Sequence, residues 1–408
     1  MQQRYYVRHS AVKTRGWGIM TGKLKPPSLK DVVKQLRYDW FGKDVQQTPT
    51  VSYVWTADQF GHFGLGFQIT FLFGWIIAAI FTDLPAWKTA IIAAALNIVL
   101  WVAKEVLDIV RERKRQGPLF PLNTRELWWN VATALFYIGA GAIVAGAAGL
   151  GGWHAIVALV ILLVPAAILV IWWVRRKMTF QQVGLPFLFR LTNLCSKFSE
   201  GADHRDTVIA LSTPERVNPL PPTVRHVLVT GSVGSGKTCL ACGIGTEYAF
   251  RLGIARYTTL TKLFEATADC LPKTTPDKPH VDLEEQDGRV LWPWRDVDLL
   301  IVDDVDALLV EPPLPAYDKD SYVEAAVTKR ADDQISLREI VRHQLTIVGI
   351  ERFKPRRTVW IISDPEEAEA WRDTIAQSLG LSGGGNEALP IIHLERDEQA
   401  LLALAKTK

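Results

Sequence analysis

Eight consecutive residues concentrate the chemistry of this chain: Gly231, Ser232, Val233, Gly234, Ser235, Gly236, Lys237 and Thr238. They follow the apolar run Val227, Leu228, Val229 and open a stretch that reads as helix from Lys237 to Arg251. Gly231, Gly234 and Gly236 let the backbone curl until successive N–H groups point inward, and the helix start adds the positive end of its dipole. Such a cradle suits phosphate oxygens. Lys237 is placed to reach the β- and γ-phosphates of a nucleotide, the Thr238 hydroxyl to ligate Mg2+, and Cys239 to close the cradle.

A second apolar run, Leu299 to Val302, ends in two carboxylates, Asp303 and Asp304. Burying four aliphatic residues in a strand brings Asp303 to its carboxyl end beside the loop, where an acid holds Mg2+ through water. Asp304 is the candidate to polarise the attacking water, and Asp306 reads as a helix cap or surface acid. A third run, Val359 to Ile362, ends at Ser363 and Asp364. Ser363 is a candidate contact for the γ-phosphate or the lytic water, with capping as the alternative for either residue. Arg352, Arg356, Arg357 and Arg372 flank this run, and Arg372 is the first choice for an arginine acting in trans on a neighbour's nucleotide, against a solvated surface role. Cys239 and Cys242 form a Cys-x-x-Cys pair, but both fall on the helix leaving the loop, where packing against a sheet is expected rather than metal or redox chemistry. With Cys195 and Cys270 they make no secreted disulfide pattern.

These groups need a scaffold, and the chain from 224 onward alternates strand and helix. Strands are expected at His226–Val229, Ala255–Thr258, Val297–Val302, Thr358–Ser363 and Leu389–Leu394, and helices at Lys237–Arg251, Leu260–Cys270, Ser321–Val348 and Pro365–Leu379. Crossover helices between strands predict a five-stranded parallel sheet covered on both faces, with ligands at the carboxyl ends of the strands. Leu381, Ser382 and Gly383 to Gly385 imitate the ABC transporter signature, but that signature precedes the strand ending in the acidic pair, whereas this stretch follows the fourth strand, so a flexible loop is expected here.

The first half is a different material. Of 408 residues 48% are hydrophobic and 15 are Trp, too apolar to be spread evenly through a soluble protein. Four apolar segments, Phe63–Phe81, Trp87–Ala103, Leu127–Gly149 and Trp153–Val174, approach the roughly 20 residues that span a hydrocarbon core. All four are expected to be transmembrane helices, the second running on through Val106 and Val110 to Arg111–Arg115. Residues 1–60 form a basic arm with no cleavable signal pattern, and Pro26, Pro27 and Ser28 announce an amphipathic helix from Leu29 to Phe41. It either lies on an anionic membrane surface or docks on the rest of the protein. The arm, Arg111–Arg115 with Arg125, and Arg175–Lys177 are basic, whereas the connections at Asp83 and at Gly151 are nearly uncharged, so both termini are expected in the cytoplasm. Trp75, Trp87, Trp101, Trp128, Trp129, Trp153, Trp172 and Trp173 lie in or at the ends of these segments, and most of them suit interfacial anchors. Gly139, Gly141, Ala142, Ala145, Gly146 and Gly149 allow close helix approach, and Asn97, with Gln68 and Thr70, is expected to bond between helices. No ionisable residue sits mid-span, which argues against a charged transport path inside one subunit. Residues 178–223 are a connector with a proline-rich end, its apolar piece around Phe187 and Phe189 lying on the membrane or on the second domain; residues 224–408 are the nucleotide domain.

The loop Gly231–Thr238, the following Leu240 to Gly245, the strand Arg256 to Thr259 with Leu260, the Asp303–Asp304 pair and the polar end at Ser363 resemble AAA+ ATPases of the helicase-loader and transposition-helper type over residues 224–395. The resemblance implies ATP as nucleotide, with Mg2+, and a homo-oligomer whose sites lie between subunits. Two features depart from it: the sequence leaves no room for a helical lid after the last strand, and the soluble relatives carry no membrane helices. The resulting expectation is a multi-pass, membrane-anchored ATPase that couples ATP binding and hydrolysis to assembly or movement at the membrane. An ATP-gated transporter or pore component, and a slow nucleotide-binding signalling or defence switch, are the alternatives. Membrane lipids are the expected partner; a role on nucleic acid follows from the resemblance alone, since no base-reading motif is visible and membrane orientation accounts for the basic residues.

Overall fold

The computed structural model describes residues 24–41, 51–115, 119–120, 124–199, 203–215, 217, 224–268, 285–286, 289–306, 337–381 and 388–398. The arm before residue 24, Cys270, residues 321–336 of one expected helix, and the glycines at 383–385 lie outside the described residues. Helix α1 (Leu29–Phe41) starts on a reciprocal cap: the Asp31 carboxylate accepts from the Ser28 N–H at 2.8 Å and hydroxyl at 2.6 Å, while the Asp31 N–H donates to Ser28 Oγ at 3.3 Å. Val32 is buried against Val174 and Met178, with Leu36 and Trp55 alongside. The docking alternative therefore describes this face of α1, although Leu29 and Val33 remain exposed.

Four long helices follow, α2 (Val51–Ile80), α3 (Ala86–Arg115), α4 (Thr124–Leu150) and α5 (Gly152–Val183). Each is long and apolar enough to cross a membrane. Helix α4 is the inner one, with 50% of its apolar window buried against 0% for α5. Its glycines explain this. A Cβ at Gly141 would overlap the Phe63 carbonyl, and one at Gly66 would overlap that of Ile138, so α2 and α4 touch backbone to backbone. Asn97 Nδ2 donates to Gly66 O and Thr70 Oγ1, both at 2.8 Å, as expected of an interhelical amide. Gln68 does not join them and faces outward. Trp75, Trp87, Trp128 and Trp153 are exposed, as anchors would be, but Trp173 is buried, stacked on Trp55 at 5.7 Å.

The rest of the chain builds a mixed sheet of six strands in the order β1-β8-β2-β7-β6-β3. These are β1 (Ser196–Phe198), β2 (His226–Gly231), β3 (Ala255–Thr259), β6 (Leu299–Asp303), β7 (Arg357–Ile361) and β8 (Ile391–Arg396); β4 (Glu285–Gln286) and β5 (Arg289–Val290) form a separate hairpin. The expectation of five strands, all parallel, is corrected by β1, which comes from the connector and runs antiparallel to β8 with Ser196 opposite Arg396. Three residues are too short a run to announce a strand. Along β2 the side chains alternate. Val227 and Val229 pack with Leu240, Ile244 and Tyr248 of α7 (Lys237–Phe250), while Leu228 packs with Leu345, Trp371 and Leu263, the last from α8 (Leu260–Ala268).

Helix α5 joins the two parts. Beyond its apolar stretch, Arg176 lies over the rings of Trp172, Trp173 and Phe250 at 4.9, 5.3 and 5.6 Å and donates to the Phe250 carbonyl. The connector continues this grip: Leu191 and Leu194 are buried in the core against α7, and Arg190 pairs with the buried Glu247 at 2.6 Å. Phe189 packs on this core, whereas Phe187 is exposed.

Candidate functional site

The Gly231–Thr238 turn links β2 to α7 at the carboxyl end of the sheet. Gly231, Gly234 and Gly236 have φ of 151°, 81° and 92°, backbone conformations that side-chain-bearing residues adopt rarely. Gly231 is further required by space, because a Cβ would overlap the Leu394 carbonyl of β8. Ser232, Val233 and Gly234 are exposed at the tip and Ser235 is buried, its Oγ without a hydrogen-bond partner among the described residues. Strand β1 braces the turn from outside: Ser196 Oγ donates to the Ser235 carbonyl at 2.6 Å. Lys237 Nζ folds back onto Gly231 O at 2.6 Å and Ser232 O at 3.0 Å. Burial lowers the Lys237 pKa, with Asp306 and Asp303 opposing, so its ammonium lies where an anion would stabilise it. Thr238 and Cys239 are half-buried in the first turn of α7.

Asp303 ends β6 and is buried. Its Oδ2 accepts from the Tyr257 hydroxyl at 2.7 Å and its Oδ1 from the Asp304 N–H at 2.9 Å. The neighbouring Asp304 takes a left-handed conformation, φ 53°, which Asp tolerates better than most residues and which turns its side chain to solvent. Burial, then the charges of Asp303 and Asp306, raise the Asp304 carboxyl above its ordinary value. Asp306 is more than a surface acid. Its Oδ2 accepts from the backbone N–H groups of Ser363 at 2.6 Å and Asp364 at 2.9 Å, tying the end of β6 to the end of β7. Ser363 is thereby held, exposed, at the same edge.

No family model matches this sequence, and no curated protein matches it.

The loop, Lys237, Thr238, Asp303, Asp304 and Ser363 all lie at the carboxyl edge of the sheet, and the remaining candidates separate from them. Arg356 donates to the carbonyls of Arg295 at 2.6 Å and Val297 at 2.9 Å, and Arg357 to the Tyr248 hydroxyl at 3.3 Å; both sit at the amino end of β7, opposite the loop. Arg372 is buried on the Ala368–Ser378 helix and pairs with Glu369 at 3.0 Å and Asp373 at 2.9 Å, so its guanidinium is engaged on its own helix. Cys242 is fully buried, and burial pushes its thiol up to about 12, the behaviour of a packing residue. Tyr257 and Ser196 were missed in the sequence, and Asp306 was read there only as a cap or surface acid. Tyr257 was legible as a strand residue two positions out of step with Asp303; Ser196 and Asp306 act through contacts with backbone distant in sequence, which leave no sequence signature.

The donors present suit a triphosphate with a divalent cation. Ser232, Val233 and Gly234 are exposed at the tip beside a half-buried ammonium, and a hydroxyl and a buried carboxylate, Thr238 and Asp303, are hard oxygen ligands of the kind Mg2+ takes.

Proposed function

We propose that the chain is a multi-pass membrane protein whose second domain is a phosphate-loop ATPase, similar to AAA+ enzymes, working on ATP with Mg2+. The observation that carries this reading is the turn with three positive-φ glycines between β2 and α7, with Asp303 and Asp304 ending a strand at the same edge. The Ser232–Gly236 backbone and Lys237 bind and orient the β- and γ-phosphates, and Thr238 and Asp303 hold the cation. Bound Mg2+ would neutralise charge on the phosphates. Asp304, exposed at the strand end, orients and polarises the attacking water, and Ser363 holds the γ-phosphate end of the site in place. The basic segments support a topology with both termini and the ATPase in the cytoplasm, membrane lipids would be the first partner, and turnover would be coupled to assembly of a homo-oligomer through α5 and the connector.

Turnover by the full-length protein in lipid tests this. Lys237→Ala is expected to lose nucleotide binding and Asp304→Asn to keep binding while turnover falls by about a hundredfold or more. Wild-type protein that neither binds nor hydrolyses ATP would remove the reading. A second reading, a slow nucleotide-binding switch, is favoured by the resting contacts of Lys237 with its own loop and of Asp303 with Tyr257, both of which must open; tight binding without turnover would select it.

A further inference from the structure

Four polar side chains lie near mid-depth in the apolar helices: Gln68, Thr70, Asn97 and Tyr137. Three turn inward and are bonded, Asn97 to Thr70 and Gly66, and Tyr137 to the Ala166 carbonyl at 3.1 Å. Gln68 does the opposite. It is the fifteenth of the 27 residues of Val54–Ile80, faces outward, and has no hydrogen bond among the described residues. An amide at this depth has no water to bond, and hydrocarbon offers neither donor nor acceptor.

The surface around Gln68 is open. At helical spacing Gly61, Gly64, Gln68, Leu72 and Trp75 share one face of α2, and Phe67, Gln68, Phe71, Leu72 and Trp75 line a groove on it. A Cβ at Gly61 or Gly64 would meet nothing within 4 Å, whereas Gly66, on the opposite face, is filled by α4. Two of the helix's glycines are thus left open toward the outside, one to two turns from an unbonded amide. We propose that this face of α2 is the membrane interface between two copies of the chain, with Gln68 bonded to Gln68 of the second copy. The occupant is specified by the amide itself. It carries one donor group and one acceptor, so a two-fold axis beside it satisfies both partners with no other residue type. Gly61 and Gly64 let the two backbones approach closely enough for that bond.

This deepens the homo-oligomer part of the function proposed above and rests on the membrane placement of α2, not on nucleotide. The test therefore omits ATP. Full-length protein labelled with donor and acceptor dyes is placed in phosphatidylcholine vesicles, and energy transfer is followed as lipid is added. Wild type is expected to associate; Gln68→Leu is expected to weaken association by about three- to tenfold and Gly64→Leu by more, with unchanged circular dichroism. In the same vesicles Gln68→Cys should oxidise to a disulfide dimer well beyond Ile91→Cys, a control on the exposed face of α3. Association unaffected by both α2 variants, or cross-linking at Gln68→Cys no greater than the control, overturns the proposal. Wild-type protein that associates in these vesicles but, assayed separately, neither binds nor hydrolyses ATP would count against the ATPase reading alone.

Discussion

The Tyr257 hydroxyl donates to Asp303 Oδ2 at 2.7 Å across adjacent parallel strands. Tyr257 pairs in register with Ile301, two residues before Asp303, so both side chains project from one face of the sheet. Burial first, then the Asp303 charge, raise the Tyr257 pKa, which keeps the phenol protonated and donating. Tyr257→Phe removes the donor and frees the carboxylate for a cation. Mg2+-dependent nucleotide binding is expected to tighten by up to about fivefold, the equivalent of about 1 kcal/mol. Titration with a fluorescent nucleotide, with and without Mg2+, measures it; weaker binding would mean that Tyr257 positions Asp303 instead of competing for it.

In the proposed ATPase, Asp304 is expected to set an acid limit on turnover. Its folded-state pKa is raised, so acidification protonates it sooner than it would an isolated Asp, and turnover should fall on the acid side accordingly. The stability linkage has the opposite sign. A carboxyl that holds its proton more tightly when folded contributes most below its unfolded pKa, and that contribution is lost as pH rises through the folded value. Asp304→Asn should therefore melt higher than wild type at neutral pH, the difference vanishing in acid, while turnover is lost. Melting curves across pH check the first half and a phosphate-release assay the second.

His226, buried at the start of β2, has Nδ1 2.9 Å from Thr358 Oγ1 and Nε2 3.1 Å from the Lys354 carbonyl. Burial, with Arg225 adding to it and the Lys354 bond opposing, lowers its pKa from 6.5 to about 4. The unfolded chain takes up the proton first, so stability is full above 6.5 and declines as pH falls toward 4, by about 3 kcal/mol. His226→Gln should flatten that decline. Thermal melts at several pH values between 4 and 7 test it, and parallel curves for both proteins would exclude His226 as the source.

Gly141 and Gly146 lie on one helix and should respond differently. A Cβ at Gly141 would overlap backbone of α2, but at Gly146 the nearest atom, the Ala90 carbonyl oxygen, is 3.5 Å away. Gly141→Ala is expected to cost about 2 kcal/mol or more, because backbone must move, and Gly146→Ala to be close to neutral. Detergent-resistance melts of the two variants give the comparison.

Signals carried by residue type were legible, and those set by tertiary contact were not. The glycine spacing of Gly231–Thr238 and four stretches of apolar composition depend on residue type alone, so they could be read directly, as could Asn97, a polar residue with nowhere else to go. Strand β1 was hidden because pairing with β8 rests on three residues placed by tertiary contact. Arg176 looked like one of a basic run flanking a membrane helix, and its place among Trp172, Trp173 and Phe250 depends on a residue 74 positions away. Arg356 and Arg357 were near the right strand in sequence but at its wrong end, a distinction the order of residues carries only once the strand direction relative to the loop is considered. Arg372 was singled out for its charge, whereas its neighbours Glu369 and Asp373 already answer that charge.

Helix α5 runs unbroken for 32 residues, about 48 Å, of which a bilayer's hydrocarbon needs only about 30 Å. Its far end is clamped to α7 by Arg176, so the second domain has no slack tether. Every copy in one membrane then carries that domain at a common height and tilt, like posts set in a floor. Meetings between neighbouring domains become a planar problem, governed by how many copies share a patch of lipid instead of by how much protein a compartment contains.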